Sequence, residues 1–234
     1  MEKSNECKKI KILLPALIET KEQEIMTEEC RKSLVSFEHC TKLTIDTNKY
    51  PTKVAGVWNV FLDQWRGKEF DYLLITANDT IADPLAIDYM VRCAEENPNA
   101  AIITGKVTRS KDDFKKYFGQ YKYTSRLTKG FIDPACFLIR KGVIERIGRI
   151  DEEFPCEFVE RDYINRCKLA GYDVIQPDIH LWYHPPYAGT IGNDQDRLQL
   201  ALRKYLQKWG GDATIEKFGH PYNDVSLDFT YCRK

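Results

Sequence analysis

The apolar run KIKILL at residues 9–14 is stopped by Pro15. Thr20, with Gln23 three positions on, then makes a capping box that opens a helix expected over residues 21–37. Residues 42–45 read as a second short strand ending at Asp46. Val54, Val57, Trp58, Phe61 and Trp65 recur at helical spacing, and Gly67 stops that helix. Residues 72–75 form a third, buried strand. The turn cluster Asn78-Asp79-Thr80 follows it, and then a helix with Asp83 as expected N-cap and Pro84 at its first position. Residues 101–104 are a fourth strand. Strands alternating with helices predict an α/β fold, a mostly parallel sheet flanked by helices, with binding loops at the carboxyl ends of its strands. Asp46 and Asp79 both fall at such ends.

Residues 106–129 interrupt the alternation. They carry many charges together with Tyr117, Phe118, Tyr121 and Tyr123, show no clear period, and are expected to form a mobile loop over a site. Beyond them come a strand-like GFIDPACFLIR, a short helix near residues 143–147 and a helix over 160–169 closed by Gly171. A last helix over 194–209 is ended by Gly210-Gly211. No internal repeat or low-complexity tract is present.

A chain of 234 residues with 43% hydrophobic content fits one domain with a single buried core. Its 35 basic and 35 acidic residues cancel, so no global field draws it to nucleic acid or an anionic membrane. No apolar stretch is long enough to span a membrane, and the N-terminal MEKSNECKKIKILLPAL has too short an apolar run for a secretory signal. A cytoplasmic location is therefore expected. Eight cysteines without a CxxC spacing argue against a zinc ribbon or a redox dithiol and for reduced thiols, several of them in the core. Neither G-x-G-x-x-G nor G-x-x-x-x-G-K-[ST] occurs, which weakens the case for a dinucleotide enzyme or a P-loop kinase.

The segment GFIDPACFLIRKGVIERIGRIDEEFPCEFVERDYINRCKLAGYDVIQPDIHLWYHP resembles the acceptor half of family 2 glycosyltransferases. In that half a G-A-x-x-L-I-R strand leads to G-x-x-D-E-x-F, an acidic helix start and A-G-Y. Upstream, LLITANDTIADP resembles the strand and metal-binding turn of the same family, and Gly56 and Asn59 match its preceding G-x-x-x-N helix. The C-terminal KWGGDATIEKFGHPYND looks like the tail of glycosyltransferases from phages, large viruses and bacterial polysaccharide clusters. The resemblance covers nearly the whole chain. It implies a GT-A (Rossmann-like) fold with a C-terminal helical tail, a nucleotide-diphosphate sugar donor, and Mn²⁺ or Mg²⁺. It also implies inverting transfer to an acceptor hydroxyl on a glycan or glycoconjugate. On that reading residues 1–104 bind the nucleotide sugar, 105–193 supply lid and acceptor half, and 194–234 form the terminal helix and tail.

The resemblance also assigns roles. Asp79 matches the final metal-holding Asp of the D-x-D-like turn, where an oxygen ligand suits a hard cation. Such a cation offsets the charge that develops on the leaving diphosphate. Ala77 and Asn78 stand where many relatives carry another acid, so the turn brings one carboxylate and modest metal affinity; Asn-Asp-Thr is also plain Asx-turn chemistry. His184 in LWYHPP matches the histidine that completes the metal site, and imidazole suits Mn²⁺ better than Mg²⁺. His184 could equally be a satisfied histidine beside a Pro-Pro turn. His180 is a weaker candidate, and His39 and His220 have no such context.

Pro15, Ala16, Leu17 and Glu19 occupy the loop where the family holds nucleobase and ribose, with Asn78 and Asp79 completing the nucleotide set. Asp46 matches a carboxylate that accepts from a uracil-type imide, which points to a UDP-sugar; a generic turn acid would also explain it. Aligning Ala170-Gly171-Tyr172 with A-G-Y places Glu160 on the catalytic base and Asp162 on the later acid of E-D-x-D, with Val159 replacing the first acid. A helix start keeps carboxylates ionised in any protein, so these two could also be ordinary N-terminal helix acids. Asp133 is a further candidate on the acceptor side. Two rival readings remain. A sugar nucleotidyltransferase would need a Gly-rich basic loop after the first strand, which LLPALIETK lacks; a non-catalytic nucleotide- or glycan-binding module would suit the single-acid turn.

Overall fold

A computed structural model describes residues 7–16, 18, 20–46, 54–120, 122–123, 127–129, 135–154, 158–184, 195–210 and 219–232. In chain order the elements are β1 (Lys9–Pro15), α1 (Lys21–Ser33), β2 (Cys40–Asp46), α2 (Val54–Trp65), β3 (Tyr72–Thr76), β4 (Ile81–Ala82), α3 (Ala86–Glu96), β5 (Ala100–Ile103) and β6 (Lys106–Thr108). There follow α4 (Lys111–Tyr117), β7 (Leu127–Lys129), β8 (Cys136–Arg140), α5 (Lys141–Ile147), α6 (Val159–Leu169), β9 (Asp173–Pro177), β10 (His180–Tyr183) and α7 (Gln195–Trp209).

Local chemistry sets most of these bounds. The capping box holds in both directions: Gln23 N–H donates to Thr20 Oγ1 at 3.3 Å, and Thr20 N–H donates to Gln23 Oε1 at 3.1 Å. α1 ends at Ser33, earlier than the expected residue 37, because Asp88 on α3 captures the chain beyond it. The Asp88 carboxylate accepts from the Phe37 N–H at 3.0 Å and from the Ser36 hydroxyl. Helix α3 starts at Ala86, not at residue 84, and Asp83 is not its cap. Asp83 instead accepts from Leu85 N–H at 2.9 Å and, with its other oxygen, from Gly119 N–H at 2.6 Å, so it closes a turn and ties the chain beyond α4 to it.

Among the described residues, seven strands form the main sheet in the order β2-β1-β3-β8-β5-β9-β7. β1 is parallel to β2 and β3, and β5 to β9, while β8 and β7 run opposite to their neighbours. The chain moves from β1 outward to β2 and then crosses back past β1 to β3. The crevice at a switch in strand order therefore opens at the carboxyl ends of β1 and β3. Alternation along the strands fills two cores, one on each face. Leu13, Leu73, Ile75, Phe137 and Ile139 pack with α2, α6 and α7, whereas Ile12, Leu14, Leu74, Cys136 and Leu138 pack with α1 and α3.

A second sheet, β4-β10-β6, lies where no strand is expected from sequence. It sits close to the first. A Cβ at Gly105, which links β5 to β6, would lie 2.5 Å from Leu181 Cβ on β10, so only glycine permits the crossing. Residues 106–120 are thus not the aperiodic loop their charges suggest. They hold β6 and α4, with Ser110 Oγ capping α4 by accepting from Asp113 N–H at 3.1 Å and Phe114 stacked on Tyr183 with centroids 5.8 Å apart. β7 adds an edge strand next to β9.

α7, the expected C-terminal helix, packs into the core. Its Lys208 is fully buried, donates to Asp151 at 2.5 Å and forms an ion pair with Asp162 Oδ1 at 2.7 Å, while Trp209 Nε1–H donates to Asp162 Oδ1 at 2.9 Å. Asn59 on α2 clamps the segment after α5 in the same region: its amide donates to Ile150 O and accepts from Ile150 N–H, both at 2.8 Å. Among the described residues no helix is long and apolar enough to cross a membrane.

Candidate active site

The register of the second sheet brings together residues far apart in sequence. Tyr183 faces Ile81 across the antiparallel β4–β10 pair and Thr108 across the parallel β6–β10 pair. His184 follows Tyr183, Arg109 follows Thr108, and Asp79 lies two residues before Ile81, so all three gather at one end of this sheet. The backbone bond from His184 N–H to Thr108 O, 3.0 Å, locks that register.

Asp79 lies on the turn after β3 and is 8% exposed. Its Oδ1 stands 3.2 Å from His184 Nε2, without the alignment of a hydrogen bond, and this buried oxygen has no hydrogen-bond donor among the described residues. A buried carboxylate oxygen left without a donor is costly, which marks a place where a ligand is expected. On the far side of the ring, Arg109 Nη1 lies 2.6 Å from His184 Nδ1. A guanidinium only donates, so Nδ1 accepts and the ring hydrogen sits on Nε2. The turn itself is firmly held: Asn78 donates to Thr27 Oγ1 at 3.0 Å, Ala77 N–H donates to Ala135 O at 2.9 Å, and the Thr76 and Thr80 hydroxyls pair at 2.8 Å.

The arrangement fits a divalent cation in part. Two ligands at right angles on an octahedral ion, with bonds of about 2.1 Å, stand about 3 Å apart. Asp79 Oδ1 and His184 Nε2 show close to that spacing. Among the described residues no cluster of three or more His, Cys, Asp or Glu side chains could hold a metal, so this pair would depend on ligand oxygens to complete a coordination shell. Nε2 is a ligand only after its hydrogen moves to Nδ1, which Arg109 now occupies.

The other expected nucleotide residues converge on the same crevice where they are described. Pro15 and Asp46 are register partners at the carboxyl ends of β1 and β2, and Ala16 beside them is buried. One strand over, Leu13 pairs with Ile75, so the Asn78-Asp79 turn leaves β3 next to the β1 loop. Leu17, Glu19 and Asp133 lie outside the described residues.

Glu160 and Asp162 have opposite surroundings although they share the first turn of α6. This helix runs through Gly171, at φ 86°, directly into β9, so its N-terminus points toward the carboxyl ends of the parallel strands. The N-cap Phe158 adopts φ 66°, a left-handed conformation that costs a non-glycine residue about 1–3 kcal/mol and tends to be kept at functional sites. The Phe158 ring packs on Tyr205 with centroids 5.1 Å apart and under the Arg161 guanidinium at 5.2 Å, contacts that hold the strained entry. Glu160, two residues on, is half-buried.

Asp162 is fully buried among Lys208, Trp209 and Arg166. Arg166 Nε approaches Asp162 Oδ2 at 3.2 Å without hydrogen-bond alignment, so the Lys208 and Trp209 contacts carry the pairing. Asp162, expected as the later acid of the E-D-x-D pattern, is thus held inside a buried ion network. His180 is exposed at the opposite end of β10 from His184. His220 Nδ1 contacts Leu227 O at 2.7 Å in the C-terminal segment. Arg109 was not legible beforehand, because its contact depends on a strand pairing that three-residue segments do not signal.

No protein-family profile and no curated protein matches the sequence. Among solved structures the chain is similar to a mannosyltransferase of Pyrobaculum calidifontis in complex with GDP-Man and Mn²⁺, at a TM-score of 0.55 and 12% identity, covering 86% of this chain and 64% of that one. It is also similar to the 1–349 segment of S. aureus TarS, at a TM-score of 0.50 and 12% identity, covering 85% of this chain and 65% of that one. The chain thus spans about two thirds of the length of each. These likenesses establish the GT-A fold.

Proposed function

We propose that the protein is a metal-dependent inverting glycosyltransferase that moves a sugar from a nucleotide-diphosphate donor, a UDP-sugar, to a hydroxyl of a glycan or glycoconjugate. The observation that carries the reading is the convergence of Asp79 Oδ1, buried and without a hydrogen-bond donor among the described residues, on His184 Nε2 at the carboxyl-end crevice of a GT-A fold. The mannosyltransferase of similar fold, solved with GDP-Man and Mn²⁺, supports it by analogy of fold.

On this reading Pro15, Ala16, Leu17, Glu19 and Asp46 bind the nucleoside, with Asp46 accepting from the uracil imide, and Asn78 and Asp79 border the diphosphate. Asp79 and His184 hold Mn²⁺ or Mg²⁺, which when bound neutralises charge on the diphosphate oxygens as the nucleotide leaves. His184 can offer Nε2 only when Nδ1 carries the hydrogen. Arg109 then turns from the ring to the diphosphate, whose oxygens match its fork of donors. Glu160, ionised at a helix N-terminus, takes the proton of the acceptor hydroxyl as that oxygen attacks the anomeric carbon from the face opposite the nucleotide. The bond from the anomeric carbon to the diphosphate oxygen breaks, and the configuration inverts. Asp133 belongs to the acceptor side.

The test is a panel of nucleotide sugars incubated with the protein, with and without Mn²⁺, with release of nucleoside diphosphate measured. The expected result is slow hydrolysis of one or a few UDP-sugars that requires the cation. Release of pyrophosphate from a nucleoside triphosphate and a sugar phosphate would favour a nucleotidyltransferase, and binding without turnover would favour a non-catalytic module.

A further inference from the structure

The sequence carries no closely spaced cysteine pair, yet the fold makes one. β1 and β2 begin side by side, with Lys9 opposite Cys40 and Cys40 N–H donating to Lys8 O at 2.9 Å. Cys7, just ahead of β1, is thereby laid against Cys40. Their sulfurs are 3.0 Å apart and both residues are exposed. We propose that Cys7 and Cys40 form a redox-active dithiol that small-molecule disulfides of the glutathione class convert to an intramolecular disulfide.

The sulfurs need to close by only about 1 Å to reach the bonded distance of about 2.05 Å, which side-chain rotation supplies. In the first step a thiolate attacks one sulfur of the small disulfide, forming a mixed disulfide and releasing one small thiolate. The second protein sulfur, as its proton leaves, attacks the first and expels the other small thiol. The net change is protein dithiol plus small disulfide to protein disulfide plus two small thiols, so atoms and electrons balance. Cys40 is held above its ordinary range first by its hydrogen bond to Cys7 and then by the charge of Cys7. Either sulfur can donate in this contact, so the attack can begin from Cys7 or from Cys40, and the same disulfide results.

The remaining described cysteines do not compete. Cys30, Cys93 and Cys167 are buried, and burial pushes their thiols up to about 12; burial raises Cys136 and Cys232 as well. A thiol kept protonated and out of solvent is a poor nucleophile. The product would tie the chain ahead of β1 to β2, an edge strand with β1 as its sheet neighbour and Asp46 at its far end. Closing a loop of this length should raise the melting temperature of this chain by roughly 4–8 °C.

The experiment treats the full reduced chain with glutathione disulfide at pH 8, blocks remaining thiols by alkylation, and maps peptides by mass. The expected product is one cross-linked Cys7–Cys40 peptide, about 2 Da lighter than the sum of its reduced parts, with a raised melting temperature that dithiothreitol reverses. In Cys40→Ser the reaction should stop at a glutathione adduct on Cys7, since no second sulfur resolves it. Accumulation of that same adduct in the unaltered protein, or a cross-link involving another cysteine, would overturn the proposal. The mass map reads the bond directly, so a variant that folds poorly does not obscure the result.

Discussion

Glu160 and Asp162 stand two positions apart on α6 and have different surroundings. Asp162 is enclosed by Lys208, Trp209 and Arg166, whereas Glu160 is half-buried on the first turn behind a strained N-cap. Glu160→Gln keeps the shape and loses the base. It should lower kcat by about 100-fold or more and leave UDP affinity nearly unchanged, because a group acting in the transition state does not set ground-state binding. Asp162→Asn should chiefly lower the melting temperature, since it leaves the Lys208 cation less compensated inside the protein. Steady-state kinetics with calorimetry separates the two. If Asp162→Asn abolishes transfer at unchanged stability while Glu160→Gln remains active, the assignment fails. The i,i+4 Arg166 and the Trp209 at the end of the last helix were both in view in the sequence. Nothing in it shows that α7 folds back to bury Lys208 against Asp162.

At the scale of elements, the long periodic segments were readable and the short ones were not. The strand positions, the Thr20–Gln23 box and the helices closed by Gly67, Gly171 and Gly210 follow from local chemistry, and the positive φ of those three glycines is its signature. β4, β6 and β10, at two, three and four residues, are too short to show a period, so the sheet that gathers Asp79, His184 and Arg109 was hidden. Gly105 is the joint of that sheet. Gly105→Ala drives a methyl to 2.5 Å from Leu181 Cβ and should cost about 1–3 kcal/mol as β10 shifts. Because His184 follows β10, the same variant should weaken metal-dependent nucleotide binding as well. A chemical denaturation curve and a nucleotide titration check both effects; unchanged values in the two would mean that the crossing has slack.

The whole molecule stores stability in its buried thiols. Cys30, Cys93 and Cys167 are pushed up to about 12 from the ordinary 9.0, chiefly by burial. A raised pKa stabilises the fold below the unfolded value, and that contribution is lost as pH climbs through the folded one, because the unfolded chain releases protons that the folded chain keeps. Tyr72 and Tyr163, also raised by burial, act with the same sign. The melting temperature should be level from about pH 7 to 8.5 and fall progressively above about 9. Melts in matched buffers check this, and a level value up to about pH 10.5 would contradict it.

Alternation of strands and helices made the class of fold legible. The convergence of the site was not, because it depends on a switch in strand order between β2 and β3 and on a second sheet. The claim that unites these scales is that Asp79 and His184 share a cation with a nucleotide diphosphate. Calorimetry of UDP binding, with and without Mn²⁺, in the unaltered protein and in Asp79→Asn tests it most directly. Mn²⁺ should strengthen UDP binding, and Asp79→Asn should lose at least about tenfold in affinity together with the response to the cation. Equal affinity in the two proteins, with the same dependence on Mn²⁺, would contradict it.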